Sequence, residues 1–390
     1  MAQNIHDWLN LLVRWAHLIT GIMWIGSSFY FMWLDSHLEA PKPPKEGVDG
    51  SLWMVHSGGF YQVEKYLIKP GFVPDTLHWF KWEATFTWIT GFMLLWIVYY
   101  TTGGIYLVDP NIANITPTQG TCIGVGLLAF SWFFYDLLYR SKLGQGKFGN
   151  AIGLAFVALV TYGLSHVFSG RATYLHVGAM FGTWMVLNVW VHILPNQQKM
   201  IDATKRGEVP DYELGKKGKA RSVHNSYMTL PVLFIMISNH YPATYGHHLN
   251  WLVLLLLIFM GAMVRHTMIT NKKEALVPAV TALLILMIMT NPKAAVSSSG
   301  DQGPPVSISK VAEIVQNRCI QCHSSHPTDD VFKVAPNGVM FDEMATFAAY
   351  SERVQERVVN SKTMPLGNKT NMTDEERTIV ARWISQNIHR

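Results

Sequence analysis

Cysteine is scarce in this sequence, with three residues in a chain of 390. Two of them, Cys319 and Cys322, lie close together, and Cys122 lies far upstream in an apolar stretch. So few cysteines exclude a disulfide-stapled scaffold. They also leave a structural zinc site without the four soft ligands that such a site usually needs.

Charge is scarce as well. Asp, Glu, Lys and Arg make up 15% of the residues, whereas 49% are hydrophobic. Because an ordinary soluble domain carries about 25% charged residues, the composition predicts a membrane protein, and nucleic acid is not expected as a partner. No basic leader precedes the first apolar segment, which is itself long enough to span a bilayer, so we expect no cleavable signal peptide.

The hydrophobic runs predict an all-α membrane domain of eight spanning helices, each near the ~20 residues that a bilayer requires. The expected bounds are 8–34, 80–101, 120–140, 148–168, 173–195, 222–240, 248–267 and 274–291. Segment 292–306 is rich in Ser, Gly and Pro, which indicates a linker. The sequence therefore divides into a membrane domain, 1–291, this linker, and a small soluble domain, 307–390.

Lys and Arg are concentrated in alternate loops. The loops rich in them are 35–79, 141–147, 196–221 and 265–273, whereas the intervening loops 102–119 and 241–247 contain none. Basic loops remain in the cytoplasm. The pattern therefore predicts a multi-pass protein whose N-terminus and C-terminal domain both lie on the other side.

Residues 319–323, Cys-Ile-Gln-Cys-His, have the C-x-x-C-H spacing of a c-type haem attachment sequence. Each thiol can add to one vinyl group of the porphyrin, and His323 then reaches the iron as the proximal ligand. Because c-type haem is attached outside the bacterial inner membrane, the motif places the soluble domain in the periplasm. Loop charge and haem chemistry thus agree on one orientation.

The residues around this motif predict a small cytochrome c. We expect an amphipathic helix over 307–322, a helix around 351–360 and a final helix over 374–388, which Thr373 and Glu376 open with a capping box. The first and last helices of such a domain pack together over the haem. Met364, in the loop before the final helix, is the first candidate for the distal ligand, and Met372 is the second.

Ionisable side chains inside the predicted spans are costly in lipid and are therefore candidates for function. Five histidines are possible ligands of a b-type haem: His17, His176, His240, His192 and His224. The hydrocarbon layer is ~30 Å thick, so electrons that enter from the cytoplasm need an intermediate carrier. The alternatives are oxidation close to the periplasmic face, or histidines that only form hydrogen bonds at helix ends.

Two combinations of base and cation suit an acidic substrate. The first is His78 with Lys81, expected on one face of the second helix and followed by Glu83. The second is Arg14 with His17, on the first helix and near the opposite side of the membrane. The aromatic stretch 53–83 around the first pair fits either a flat, anionic heterocycle or an interfacial segment.

Two stretches of this sequence resemble the membrane-bound, cytochrome c-linked urate oxidases (urate hydroxylases) of bacteria. They are Arg14-Trp15-Ala16-His17, continued by Gly21, Trp24, Ile25, Gly26, Ser27 and Ser28, and His78-Trp79-Phe80-Lys81-Trp82-Glu83. Domain order and length agree with that family along the whole chain.

The resemblance implies oxidation of urate to 5-hydroxyisourate in purine catabolism. Electrons would pass through haem c to a soluble cytochrome c or a respiratory-chain oxidase, and no hydrogen peroxide would form. It also implies Cys319 and Cys322 as thioether attachments, with His323 and Met364 as axial iron ligands.

Two other functions fit parts of the sequence. A membrane-anchored cytochrome c that serves a separate dehydrogenase or oxidase would need one helix, not eight, and no histidines within the membrane. A redox-gated transporter is a third hypothesis, but no inverted repeat supports it.

Overall fold

The computed structural model describes residues 2–70, 73–144, 146–291 and 304–387. This part of the chain is predominantly helical, as predicted, with one two-stranded sheet. Up to residue 289 the helices are α1 Ala2–His37, α2 Trp82–Leu95, α3 Pro117–Arg140, α4 Gly146–Ser165, α5 Gly170–Leu187, α6 Leu194–Lys205, α7 Tyr212–Ile237, α8 Pro242–Tyr245, α9 Asn250–Thr270 and α10 Leu276–Met289. The expected linker, 292–306, lies mostly outside the described residues.

Each of the eight stretches predicted to span contains a helix. Five helical segments are long and apolar enough to cross a membrane: Asn4–His37, Pro117–Arg140, Gly146–Ser165, Gly170–Lys205 and Asn250–Thr270. The second helix begins at Trp82 and not at residue 80, because residues 80 and 81 form a turn in which the Lys81 amide donates to the Trp79 carbonyl. The expectation that His78 and Lys81 share a face of this helix is therefore wrong.

The stretch predicted as the first loop contains a β-hairpin. Strands β1 Val48–His56 and β2 Gly59–Tyr66 pair antiparallel, with His56 opposite Gly59. The turn residues Ser57 and Gly58 have φ values of 49° and 76°, the left-handed pair that a two-residue hairpin favours. Alternating aromatic and β-branched residues around Ser-Gly were the signal for this hairpin.

Two spans widen into π-helical turns, Trp96–Tyr100 after α2 and Asn188–Ile193 between α5 and α6. The second precedes Pro195, which has no amide hydrogen and whose ring crowds the carbonyl four residues earlier. A π-turn accommodates this conflict without ending the helix, and such turns are frequent at functional sites.

The C-terminal segment, residues 304–387 of the described chain, has four α-helices. They are α11 Ile308–Arg318, α12 Met344–Ala349, α13 Ser351–Val354, which the π-turn Gln355–Asn360 continues, and α14 Asp374–Asn387. The predicted capping box is present, since the Glu376 amide donates to Thr373 Oγ1 at 3.2 Å and the Thr373 amide donates to Glu376 Oε2 at 2.8 Å. Helices α11 and α14 share one apolar core with the residues between them. Its buried members include Val311, Ile314, Val315, Phe347, Val380, Trp383 and Ile384.

The chain forms two compact units. The first unit comprises the described residues of Met1–Leu94, Ala179–Val232 and Met260–Ala279. The second unit comprises those of Leu95–Gly178, Leu233–Phe259 and Val280–Arg390, and it therefore includes the C-terminal segment.

Candidate functional site

The C-x-x-C-H residues in the second unit lie at the end of α11. Cys319 is the C-cap of this helix, and its amide donates to the Val315 carbonyl. The amides of Cys322 and His323 then donate to the Cys319 carbonyl, at 3.2 and 2.8 Å. The motif thus forms a compact turn that places Cys319 against the apolar core and the His323 ring 5.4 Å from that of Phe341, a member of the core.

His323 has the hydrogen bond that an iron-ligating imidazole needs. Its Nδ1 lies 3.0 Å from the carbonyl oxygen of Val339, which can only accept, so Nδ1 carries the proton. The lone pair is then on Nε2, the atom that would bind iron. Burial lowers the pKa of His323, which also favours the neutral ring.

The two methionine candidates occupy different places. Met364 is half-buried and packs against the edge of the C-terminal core, as does Cys319. Met372 is 4% exposed and is a member of that core. Arg377 donates to the backbone carbonyls of Met364 and Val358 and so fixes the turn that carries Met364.

The surroundings of the thiols favour the uncharged form. Burial raises the pKa of Cys319 to about 12, and burial together with Asp329 raises that of Cys322 to about 11. Burial would also raise the pKa of Asp329, but hydrogen bonds from Lys369 and from the amides of Phe332 and Val331 outweigh it and lower that pKa.

Among the described residues, no group of three or more His, Cys, Asp or Glu side chains is placed to hold a metal ion. A haem needs no such group, because the porphyrin supplies four iron ligands and the protein only the axial ones. Two thiols, an imidazole with its lone pair on Nε2 and a methionine that packs on the same apolar core fit a covalent haem better than a zinc ion.

A second candidate site is a cavity of about 330 Å³ inside the first unit. It falls in the ~300–1,000 Å³ range of small-molecule pockets. Helix α1, the segment before α2, the π-turn 188–193 and α7 form its wall. The lining residues are Trp24, Ile25, Ser27, Ser28, Phe31, His78, Trp79, Phe80, Met185, Val189, Ile193, Leu194, Gln197, Ser222, Asn225 and Thr229.

The residues that line this cavity differ in exposure. The rim includes the exposed residues His78, Gln197 and Ser222, whereas Met185 and Asn225 are buried at its floor. The Asn225 side chain forms two hydrogen bonds within the protein. Its Oδ1 accepts from Asn188 Nδ2 at 2.8 Å, and its Nδ2 donates to the Met185 carbonyl at 2.9 Å. Within the described ranges, the side chains of His78 and Gln197 make no hydrogen bond, so these groups face the cavity with their bonding capacity unused.

Of the first predicted pair, only His78 lines the cavity. The Lys81 ammonium lies instead over the rings of Trp82 and Trp190, 5.7 and 5.5 Å from their centroids. Glu83 is also outside the lining, and its Oε2 is buried without a hydrogen-bond partner in the part of the chain that the structure describes. Among the described residues of the lining there is no Lys, Arg, Asp or Glu, and His78 is the one titratable side chain.

The second predicted pair, Arg14 and His17, lies on α1 outside the cavity lining. Arg14 is exposed and donates to Asn10 Oδ1 at 3.0 Å. His17 Nδ1 lies 3.0 Å from the Thr87 carbonyl and 3.1 Å from Thr90 Oγ1, which joins α1 to α2. The two side chains therefore make separate local contacts.

The other predicted haem b histidines occupy varied environments. His176 is fully buried and uses both nitrogens, with Nδ1 donating to the Ala172 carbonyl at 2.8 Å and Nε2 bonded to the Tyr100 hydroxyl at 2.8 Å. His240 is exposed in a 3₁₀ turn beyond α7. His192 lies in the π-turn and His224 in α7, both partly buried in the first unit. The lone pair of His176 Nε2 thus faces the Tyr100 hydroxyl.

Gln197 and Met185 are cavity residues that the sequence did not identify. Gln197 falls in a stretch predicted as a basic cytoplasmic loop, whereas the structure continues the helix through Pro195 to Lys205. Pro195 next to an apolar span was the available sequence signal, because it predicts an irregular turn and irregular turns favour sites.

A family model described as "Urate oxidase N-terminal" matches residues 3–295. The match covers both helices that bring Trp24 and Asn225 to the cavity, as well as His78, and it ends before the C-x-x-C-H motif. Comparison with curated proteins and with solved structures gave no match.

Proposed function

The chain belongs to the urate oxidase N-terminal family, and we propose that it is a membrane-embedded enzyme that oxidises urate to 5-hydroxyisourate. In this proposal the electrons leave through a C-terminal haem c and reach a soluble cytochrome c or a respiratory-chain oxidase. The family match over three quarters of the chain carries the proposal, because it makes a urate-related oxidase the expected activity of the membrane part.

We propose that the protein lies in a bacterial inner membrane, and the apolar surface of α1 supports the membrane location. Helix α1 exposes large apolar side chains along its length, including Trp8, Trp15 and Ile22, each more than half exposed. Water would disfavour such a surface, whereas lipid would cover it. Loop charge then orients the C-terminal domain toward the periplasm and the basic segment 196–221 toward the cytoplasm.

The cavity of the first unit is the proposed urate site. A planar purine can stack on Trp24, Trp79 or Phe80, and hydrogen bonds from its edge can use the amide of Gln197 and the imidazole of His78. These two residues stand within segments that loop charge assigns to the cytoplasmic side, where urate from purine breakdown would arrive. Electrons that start there need an intermediate carrier to cross the membrane, and a b-type haem held by histidines of the membrane part would supply it.

The proposed reaction balances as urate plus water giving 5-hydroxyisourate, two protons and two electrons. The urate anion is readily oxidised, so the protein must hold it flat, admit water at C5 and remove protons. His78 is the group of the lining that can accept a proton, and it would also balance the anion when protonated. Aromatic walls exclude bulk water from the rest of the ring.

Cys319 and Cys322 would hold the haem and His323 and Met364 would bind its iron. Haem c, when bound, supplies a one-electron acceptor outside the membrane. This acceptor replaces oxygen, so the proposed reaction forms no hydrogen peroxide.

The test uses the purified full-length protein with its covalent haem, mixed with urate in the absence of oxygen. We expect urate to reduce haem c and 5-hydroxyisourate to appear, and we expect no peroxide in air. The variant His78→Gln should lose most of this reduction, whereas His56→Gln, an exposed histidine on the hairpin, should not. A haem c that stays ferric with urate, yet is reduced by ascorbate, would refute the proposal.

A further inference from the structure

Within the second unit, the turn that precedes Met364 lies against the short segment after α8. At Gly246, an added Cβ atom would be 2.6 Å from Ser361 Cβ and 2.8 Å from Thr363 Cγ2. Both distances are shorter than real Cβ contacts, so only glycine permits this approach. The carbonyl of Pro242, in the same turn as Gly246, would be the third close atom at 2.8 Å.

The segment around Gly246 is itself firmly held. The buried hydroxyl of Tyr174 on α5 lies 2.9 Å from the Asn250 carbonyl and 3.2 Å from the Thr244 carbonyl. Gly170, at the start of α5, lies so close to this segment that an added Cβ would be 1.9 Å from the Tyr245 carbonyl. We call residues 241–250 the seat. Because α5 contacts the seat at Thr244, Tyr245 and Asn250, the seat can act as a rigid support.

The turn of Met364 is held from its other side by the C-terminal segment. Ser361 is buried and its hydroxyl donates to the Glu356 carbonyl at 2.7 Å, while the Met364 amide donates to the Arg357 carbonyl at 2.9 Å. Arg377 on α14 donates to the Met364 carbonyl at 2.7 Å. The turn therefore lies between α14 and the seat.

A second contact within the second unit links the C-terminal segment to residues close to the seat. The rings of Tyr106 and Phe332 meet edge to face with centroids 6.3 Å apart. The guanidinium of Arg171 lies 4.8 Å from the Tyr106 centroid and its Nε donates to Asn239 Oδ1 at 2.8 Å, close to the seat. The amide of Phe332 donates to Asp329, so this contact is connected to the C-x-x-C-H region.

We propose that the seat positions the turn 361–364 and thereby holds Met364 on the haem iron, so that docking of the C-terminal segment sets the haem potential. Methionine ligation raises the potential of a c-type haem, so a displaced turn would lower it. Gly246 and Tyr106 are positioning residues in this proposal, because they act through the turn and through Phe332. The inference rests on the proposed function only in requiring that haem c is attached.

The test is spectroscopic and does not depend on urate turnover. Gly246→Val should lower the midpoint potential of haem c and weaken the methionine-to-iron charge-transfer band of the ferric protein. Gly163→Val is the matched control, since a side chain at Gly163 on α4 would meet nothing within 4 Å. This control should leave both signals at their wild-type values.

A compensating variant separates displacement of the turn from general damage. Gly246→Ala adds only a methyl group and serves if the valine variant does not accumulate. Combining Gly246→Ala with Thr363→Ser removes Thr363 Cγ2, one of the atoms that the methyl group would meet, and keeps the Ser361 hydroxyl that donates to the Glu356 carbonyl. Potential and band should return toward wild type in this combination.

The outcomes are distinguishable. A wild-type protein without covalent haem would overturn the proposed function itself. A wild-type protein with the methionine band, combined with Gly246→Val and Gly246→Ala variants that keep the band and the potential, would overturn the role of the seat and leave the proposed function standing.

Discussion

The two candidate sites are built in opposite ways. In the C-terminal segment, Cys319, Cys322 and His323 stand within five consecutive residues, and one helix end positions all three. In the first unit, Trp24, His78 and Asn225 come from distant parts of the chain and meet only after folding. The first kind of site can be identified from a motif, whereas the second depends on how helices pack.

The two sites also differ in the charged side chains close to them. The C-terminal segment has ion pairs close to its motif, such as Arg318 with Glu376 at 3.0 Å and Lys369 with Asp329 at 2.6 Å. The residues that the structure shows lining the cavity include no Lys, Arg, Asp or Glu. Charged pairs at the surface of the C-terminal segment remain hydrated, whereas an anion bound in the cavity would need a nearby positive charge, which His78 could supply when protonated.

The largest effect is expected when a cysteine of the C-x-x-C-H motif is replaced. Cys319→Ala, or Cys322→Ala, should abolish stable covalent attachment of haem and reduce urate-driven cytochrome c reduction to background. Cys122→Ala is the control, because Cys122 is an exposed thiol on α3. Haem staining after denaturing electrophoresis measures attachment. Full staining in Cys319→Ala would show that the motif does not carry the haem.

The next prediction separates the two methionines. Met364→Ala should lower the haem potential by on the order of 100 mV while leaving the domain folded. Met372→Ala should keep the potential but destabilise the segment by ~2–5 kcal/mol, because it empties part of a packed core. Redox titration and urea unfolding at the haem absorption band measure the two effects. The opposite outcome, in which Met372→Ala lowers the potential and Met364→Ala leaves it unchanged, would identify Met372 as the ligand.

A smaller effect is expected in the cavity. Gln197→Leu keeps the size of the side chain but removes its hydrogen bonds, so the KM for urate should rise about tenfold, or about 1.4 kcal/mol. Gln198→Leu is the matched control, since the Gln198 amide donates to Asp202 at 2.7 Å and lies outside the lining. Steady-state kinetics measure both. Equal KM values in the two variants would argue that urate binds elsewhere.

The contrast between the sites also explains what the sequence could and could not predict. The apolar runs located helices in all eight stretches, and the pair Thr373 and Glu376 located the start of α14 to the residue, because these signals are local. Local residues did not reveal the position of Lys81, which depends on Trp190 more than a hundred positions away. They also did not reveal Gln197 in the cavity, because the helix continues through Pro195 into a stretch that loop charge predicts as a loop.

The smallest expected effect concerns the ion pair of Asp329 with Lys369. The pKa of Asp329 is lowered in the folded protein, so this carboxylate stabilises the C-terminal segment above its unfolded pKa of about 3.9. That stability is lost as the pH falls through the lower, folded pKa. We expect a loss on the order of 1 kcal/mol between pH 5 and pH 3, measured by urea unfolding at the haem band. Asp329→Asn should be less stable than wild type at pH 5 and should show a weaker dependence on pH. Asp374→Asn is the control, because Asp374 pairs with Lys362 at the surface. An exposed pair contributes little, so this variant should retain most of the dependence of the free energy of unfolding on pH.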